Sequence, residues 1–102
     1  MTRIEASKRV KSGKSIKVEI EIGNERIKDF IISGDFFAYP LEQFEELHRK
    51  VLENGTAENI TSIINEYKNK IEFAGVSIQD LEDLILECLT KYHNTNLNYK
   101  PR

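Results

Sequence analysis

The sequence has little of several residue types that mark specialised protein classes. Of its 102 residues one is cysteine, two are proline, five are glycine and none is tryptophan. The single cysteine, Cys88, excludes an intrachain disulfide, as expected in the reducing cytoplasm. No apolar run approaches the roughly 18 residues needed to cross a membrane, and residues 1–5 lack an apolar signal core. We therefore predict a cytoplasmic protein with no membrane partner.

Excess positive charge is also missing. The chain has 15 Lys and Arg against 17 Asp and Glu, a formal net charge of −2, and its pI is about 5.7. Nucleic-acid binding needs a broad positive field, so we predict no nucleic-acid partner. The basic stretch at residues 8–17 is followed at once by Glu19 and Glu21, and we interpret it as the solvated face of a strand.

The residues that are present indicate one globular domain. Hydrophobic residues make up 39% and charged residues 31% of the chain, too apolar a composition for disorder. A chain of this length buries enough surface for a single core. We expect one α+β domain over residues 1–93, followed by a polar, frayed tail over residues 94–102.

The first third of the chain predicts three antiparallel strands. In residues 15–22, SIKVEIEI, apolar and charged side chains alternate with the period of two that is typical of a half-buried strand. A weaker strand precedes it at residues 4–10. The hairpin signal Gly23-Asn24 connects it to a third strand at residues 25–33, ERIKDFIIS.

After the strands, the apolar period changes to that of helices. Pro40 fits the start of a first helix and Gly55 its end, while Thr56 and Ser77 fit the caps of two more. The apolar stripes are Leu41, Phe44, Leu47 and Val51; Ile60, Ile63, Ile64 and Tyr67; and Ile78, Leu81, Leu84, Ile85, Cys88, Leu89 and Tyr92. Strands grouped before helices predict an α+β fold, a three-stranded antiparallel meander followed by three helices packed on one face.

No residue pattern in this chain predicts an active site. There is no phosphate-binding loop, no dinucleotide fingerprint and no zinc-ligand spacing. His48 lies beside the stripe of the first helix and His93 at the end of the third, where a boundary position and the helix dipole account for them. Cys88 lies on an apolar stripe, as a buried and inert thiol would. We predict no catalytic residue and no metal ligand.

The stretch Gly34-Asp35-Phe36-Phe37 admits two interpretations. As a core hinge, Gly34 permits the turn, Asp35 bonds its own downstream backbone, and one phenylalanine enters the core. Adjacent side chains of an extended segment point to opposite sides, so the other phenylalanine faces outward unless something covers it. With Tyr39 nearby, an exposed aromatic cluster would suit a partner interface. Residue chemistry alone leaves both interpretations open.

The same stretch resembles a known family. ERIKDFIISGDFF followed by LEQFEELHRKVLENGT is similar to the small C-terminal domain of bacterial and archaeal lipoate–protein ligases, over about residues 3–92. Members carry a strand of the form I-x-D-x-x-I-x-G-D-F-F. The residues that match it are Ile27, Asp29, Ile32, Gly34, Asp35, Phe36 and Phe37. The helix that follows fits the family more loosely, at Leu41, Leu47, Leu52 and Gly55.

This resemblance implies a role in lipoate attachment. In the family, a large catalytic domain binds lipoate, ATP and Mg, and the small domain packs against it, in some archaea as a separate chain. The resemblance therefore implies a noncatalytic accessory subunit of a bipartite lipoate–protein ligase, with no cofactor bound by this chain. The complex would convert lipoate to lipoyl-AMP with ATP, a step that requires this subunit, and lipoylate the lysine of a lipoyl domain.

The implied partner is the catalytic lipoate–protein ligase subunit, with which this chain would form a heterodimer. Lipoyl-domain proteins would be partners of this chain only indirectly. The predicted partner-binding residues are Gly34, Asp35, Phe36, Phe37 and Tyr39. The implied fold also resembles that of SufE- and NifU-like proteins, which act in sulfur transfer and as iron–sulfur scaffolds through exposed cysteines. Such a scaffold role, or that of a small protein-binding module without its own active site, is the alternative function.

Overall fold

The structure is a computed structural model that describes residues 1–98. The main sheet is antiparallel, and its strands in chain order and in spatial order are β1 (Thr2–Arg9), β2 (Ser15–Gly23) and β3 (Arg26–Gly34). The helices are α1 (Leu41–Asn54), α2 (Ile60–Glu66) and α3 (Ile78–Asn98). α1 packs on β3, α3 packs on β1 and β2, and α2 lies against both helices. The predicted α+β fold is confirmed.

Two short strands lie outside the predicted pattern. They are β4 (Phe37–Tyr39) and β5 (Glu72–Ala74), and they form a separate antiparallel pair. Phe37 lies opposite Ala74, and Tyr39 lies opposite Glu72. The pairing joins the segment after β3 to the connection between α2 and α3.

The core lies between the main sheet and the three helices. Every second residue of β2 is buried, as the alternation predicts, because that side of the strand faces the helices. Full burial of each such side chain stabilises the fold by roughly 1.5–3 kcal/mol. The residues of the predicted stripes that are buried are Leu47, Val51, Ile60, Ile63, Ile64, Tyr67, Leu81, Leu84, Ile85, Cys88 and Tyr92.

The opposite face of the main sheet is charged. Arg3 forms ion pairs with Glu19, Glu21 and Asp29, at 3.4, 3.1 and 3.2 Å, so one guanidinium links all three strands. Ile31 lies on the same face beside Glu19 and is 38% exposed. No helix among residues 1–98 packs on this face.

The β2–β3 hairpin turns one residue later than predicted. Gly23 is paired with Arg26 in the ladder, so the two-residue loop is Asn24-Glu25 and not Gly23-Asn24. Both loop residues are left-handed, with φ of 54° and 67°. Positive φ at both central residues defines the type I′ turn, whose twist matches that of the flanking strands.

The predicted cap of the third helix is present, whereas Thr56 does not cap the second, because α2 begins after Asn59, which makes no side-chain cap hydrogen bond. The Asn59 N–H donates to Thr56 Oγ1 at 3.1 Å, and the Thr56 N–H donates to Asn59 Oδ1 at 2.7 Å, in the turn before α2. Before α3, the Asp80 N–H donates to Ser77 Oγ at 3.1 Å, and the Ser77 N–H donates to Asp80 Oδ2 at 2.8 Å. The Ser77–Asp80 pair satisfies two backbone donors that the start of α3 leaves free, whereas the Thr56–Asn59 pair closes a turn that precedes α2.

The third helix is longer than the apolar stripe predicts. It continues to Asn98, so residues 94–98, the first part of the predicted tail, are helical. His93 therefore lies five residues before the helix end and not at it. The rest of the predicted tail, residues 99–102, lies outside the described residues.

Candidate protein-docking site

Gly34 sits where β3 ends and the chain turns away from the main sheet. Its φ is +144°, a conformation that L side chains rarely adopt. A Cβ at this position would lie 2.2 Å from the Ser15 carbonyl oxygen and 2.9 Å from the Ile16 Cα. Only glycine allows the chain to pass this close to β2, so Gly34 sets the path of the residues that follow.

Asp35 fastens this turn to the start of β2. Its N–H donates to the Ser15 carbonyl oxygen at 2.9 Å. Its Oδ2 accepts hydrogen bonds from Ser15 Oγ at 3.0 Å and from the Ser15 N–H at 3.3 Å. The prediction that Asp35 bonds its own downstream backbone is wrong, because its carboxylate instead accepts both of these hydrogen bonds from Ser15 at the start of β2.

Phe36 points inward and joins a cluster of rings. It is partly buried, with its ring centroid 5.8 Å from that of Phe73 and 6.3 Å from that of Phe44. Phe44 packs edge-on against His48 at 4.6 Å. His48 Nδ1 lies 2.8 Å from the Phe44 carbonyl oxygen, which only accepts, so Nδ1 carries the proton. His48 is half-buried, as predicted for a boundary residue.

Phe37 points the other way and is 74% exposed. Tyr39, two residues on and therefore on the same side of β4, is 47% exposed, while Ala38 between them packs toward the core. The prediction that the adjacent phenylalanines separate, one into the core and one outward, is confirmed. The outward side chains are held by a strand pair, because β4 is hydrogen-bonded to β5.

Leu41 adds a third exposed apolar side chain that the sequence analysis placed in the core. Burial along the α1 stripe rises from Leu41, which is 60% exposed, through half-buried Phe44 to Leu47 and Val51, which are 0% exposed. Leu41 is the first residue of α1, directly after Pro40, where the packing elements no longer cover the stripe. Its position at the helix start is the signal in the sequence that could have shown this.

These three side chains, Phe37, Tyr39 and Leu41, form an apolar patch on the surface. Phe37 and Leu41 border a surface groove of about 430 Å³ between the end of β3, β4 and the start of α1. The groove is lined by Ile32, Ser33, Gly34, Phe36, Phe37, Ala38, Leu41 and Phe44. Exposed apolar groups around a groove, on a rigid framework, are typical of protein-binding surfaces.

Cys88 and the remaining titratable groups form no comparable site. Cys88 is fully buried, and burial raises the pKa of its thiol to about 11. Its predicted burial is confirmed, and no exposed thiolate is available there for cluster or sulfur chemistry. Among residues 1–98, no three His, Cys, Asp or Glu side chains are grouped so that they could hold a metal ion. Within the same residues no helix is long and apolar enough to span a membrane.

A second groove, of about 680 Å³, lies between residues 8–12 and 75–80. Of the cations that line it, Lys8 is paired, because its Nζ lies 2.9 Å from Asp80 and 3.4 Å from Asp83. Burial acts to raise the pKa of the Asp80 carboxyl, but hydrogen bonds from Lys8 and Ser77 outweigh it and hold that pKa below its ordinary value. This ion-paired groove has no apolar anchor comparable to Phe37.

No protein-family model matches the chain. Comparison with known proteins shows that it is similar to two archaeal proteins. The chain is 37% identical over 55 residues to "Lipoate-protein ligase A subunit 2" of Thermoplasma acidophilum, a match over 54% of this chain and 57% of that protein. It thus spans little more than half the length of this curated relative.

The second relative is a solved structure. The chain superposes with a TM-score of 0.62 and 29% identity on one chain of an archaeal lipoylation system, a bi-partite lipoate protein ligase and its E2 lipoyl domain from Thermoplasma acidophilum. The match covers 86% of this chain and 97% of that chain. Together the two matches confirm the predicted resemblance to the small subunit of a bipartite lipoate–protein ligase. Neither relative is a sulfur-transfer or iron–sulfur scaffold protein.

Proposed function

Because the chain resembles the small subunit of a bipartite lipoate–protein ligase, we propose that it is the accessory subunit of such a ligase. In this proposal it docks on a separate catalytic subunit through the apolar patch. The observation that carries the docking site is the exposure of Phe37, at 74%, next to Tyr39 and Leu41 on a hydrogen-bonded framework. Removing such apolar surface from water is a driving force for association.

The proposed complex would catalyse two steps. The lipoate carboxylate attacks the α-phosphate of ATP, which releases pyrophosphate and forms lipoyl-AMP. The lysine amine of a lipoyl domain then attacks the acyl carbon and releases AMP. In the proposal, the catalytic subunit binds ATP, Mg and lipoate, and this chain supplies no catalytic residue.

We assign this chain to the first step. A small subunit docked beside an active site can close over the loops that hold the reactants, and such closure keeps a reactive acyl-adenylate from water. The firm attachment of the Gly34–Phe37 turn to β2 through Ser15 supports this role, because a rigid docking surface positions what it binds.

The apolar patch also fits the alternative function, a small protein-binding module that serves another partner. The two functions differ in the protein that binds. The catalytic ligase chain from the same source is therefore the reagent that separates them.

The test is to reconstitute lipoylation. This chain, the catalytic chain from the same source, or both are incubated with lipoate, ATP, magnesium and a lipoyl domain, and the lipoyl domain is followed by its mass. We expect lipoylation only when both chains are present. If the catalytic chain alone lipoylates the lipoyl domain equally well and does not bind this chain, the proposal is overturned.

A second incubation assigns the step. Preformed lipoyl-AMP replaces lipoate and ATP, so only transfer remains to be catalysed. We expect the catalytic chain alone to transfer the lipoyl group from lipoyl-AMP at a rate close to that of the complex. An equal requirement for this chain in both incubations would contradict its assignment to activation alone.

A further inference from the structure

We propose that the apolar patch binds an acidic segment of the catalytic subunit, one in which an apolar side chain is flanked by carboxylates. This inference rests on the proposed function, since it specifies the partner surface that the patch would bind. Its basis is a set of lysines at the two ends of the β4–β5 pair that form no ion pair within residues 1–98. These flanking lysines are Lys11, Lys14, Lys68 and Lys70.

Two of the flanking lysines lie at the Phe37 end of the strand pair, on the tip of the β1–β2 hairpin. Ser12 Oγ of this tip donates to the carbonyl oxygen of Gly75, the residue after β5, at 3.2 Å. A Cβ on Gly75 would lie 3.5 Å from the Phe36 Cα and 3.6 Å from Lys14 Cγ. The hairpin tip is therefore held beside the backbone that leads directly into Phe37.

The other two flanking lysines lie at the Tyr39 end. Tyr39 borders a groove of about 560 Å³ whose far side is the connection from α2 to β5, where Lys68 and Lys70 lie. Both lysines are exposed, and Lys70 Nζ lies 5.2 Å from the centroid of the Tyr67 ring. Positive charge thus borders the apolar patch at both ends of the strand pair.

Most lysines elsewhere in the described chain are paired with a carboxylate. The pairs are Lys8 with Asp80, Lys17 with Glu5, Lys50 with Glu66, and Lys91 with Glu87. Of the lysines without such a pair among residues 1–98, only Lys28 lies away from the patch, near the start of β3. A chain of net charge −2 therefore places its unpaired lysines beside its exposed aromatic side chains.

The charge around the patch is also uneven, which orients the proposed partner. Glu42 and Glu45 are exposed on α1, on the Leu41 side of the patch, and Glu72 lies opposite Tyr39 in the ladder. Carboxylates of a partner are repelled on the α1 side and attracted toward the hairpin tip and the α2–β5 connection. Complementary charges of this kind fix orientation and speed association.

Charge reversal at both ends of the strand pair tests the inference. Lys14→Glu and Lys68→Glu are combined in one variant, and Lys28→Glu is the matched control, an exposed lysine about 20 Å along β3 from Gly34. Association with the catalytic chain is measured at several salt concentrations, after circular dichroism has shown that both variants are folded. We expect the double variant to bind about tenfold more weakly or worse, mainly through slower association, and the control to bind like the wild type.

The salt dependence of the association rate tests the role of the same lysines independently. The Debye length falls from about 30 Å at 0.01 M to about 8 Å at 0.15 M salt, so wild-type association should slow over this range. The double variant should lose that slowing. Carbodiimide coupling, which joins lysine amines to carboxylates in contact, should then link the flanking lysines to Asp or Glu of the catalytic chain.

The outcomes separate the inference from the proposed function. If the catalytic chain binds the wild type and both variants equally, and no flanking lysine is coupled, the inference is overturned while the proposed function stands. If the catalytic chain binds none of the three proteins, both the proposed function and the inference are overturned.

Discussion

The two adjacent phenylalanines after β3 have opposite surroundings. Phe36 contacts Phe44 and Phe73 with tilted and edge-on rings, the arrangements that aromatic quadrupoles favour. Phe37 is 74% exposed among residues 1–98, as an apolar side chain that takes part in binding would be. One side chain therefore stabilises the fold, and the other is available for binding.

Alanine substitutions should separate these roles. Phe36→Ala removes ring contacts from a half-buried site, so we expect the free energy of unfolding to fall by about 3 kcal/mol. Phe37→Ala removes an exposed ring and should change it by less than about 0.5 kcal/mol. Urea denaturation of both variants measures the difference. Equal destabilisation would show that Phe37 is also part of the core.

Gly34 and Gly13 form a matched pair for testing close approach of the backbone. Both have positive φ, at +144° and +87°, but a Cβ on Gly34 would meet the Ser15 carbonyl oxygen, whereas nothing lies within 4 Å of one on Gly13. We expect Gly13→Ala to cost about 1–2 kcal/mol of stability from the backbone alone. Gly34→Ala should cost clearly more, because β2 or the turn must also move. Thermal unfolding of the two variants gives the comparison, and equal losses would contradict the close approach.

The buried thiol of Cys88 makes stability depend on alkaline pH. Burial raises its pKa from an ordinary 9.0 to about 11 in the folded chain. Between these values the unfolded chain loses the thiol proton and the folded chain keeps it, so the free energy of unfolding falls as pH rises. We expect a loss of about 2–3 kcal/mol between pH 8 and pH 11 that is missing in Cys88→Ala. Tyr67, whose pKa burial also raises, is common to both proteins and cancels in the difference.

The start of α3 is stabilised by a short sequence motif, in which Ser77 and Asp80 bond to each other. Asp80 accepts the Ser77 N–H and pairs with Lys8, and these bonds hold the pKa of its carboxyl below the ordinary value in spite of burial. A lowered pKa means that the stabilisation is present at neutral pH and is lost as pH falls through the acid range.

We therefore expect Asp80→Asn to lower the free energy of unfolding by about 1 kcal/mol at pH 7. The difference from the wild type should shrink as pH falls, because protonation of the wild-type carboxyl removes its charge. Urea denaturation at pH 7 and at about pH 2.5 provides the two measurements. A difference that is independent of pH would mean that shape, and not charge, sets the contribution of Asp80.

Elements differ in how far local sequence determines them. The alternation in β2 and the cap at Ser77 are local patterns, and the structure confirms them. The pairing of β4 with β5 joins three-residue strands 35 positions apart, and no periodicity can be recognised in so short a segment. For the same reason the sequence predicts that the two phenylalanines separate but not which of them is exposed.

At the scale of the whole molecule, the apolar patch and the flanking lysines lie around the β4–β5 pair, beside the end of the main sheet where β3 finishes. The hairpin tip, the Gly34–Phe37 turn and the end of β5 meet there. The open face of the sheet presents instead the ion pairs that Arg3 forms with three carboxylates. This uneven distribution indicates one preferred docking surface, which no single motif in the sequence reveals.

The double substitution Phe37→Ala/Leu41→Ala tests that surface in the assembled ligase. We expect it to raise the Kd for the catalytic chain by about 30-fold, the effect of losing a hot spot worth about 2 kcal/mol, with little change in unfolding. Ile31→Ala, which removes an exposed apolar side chain from the open face, should leave the Kd unchanged. Because the defect is one of affinity, lipoylation by the double variant should be slow at low subunit concentration and recover when the variant is raised above its new Kd. Lipoylation that stays slow with the catalytic chain saturated would instead place Phe37 or Leu41 in the activation step itself.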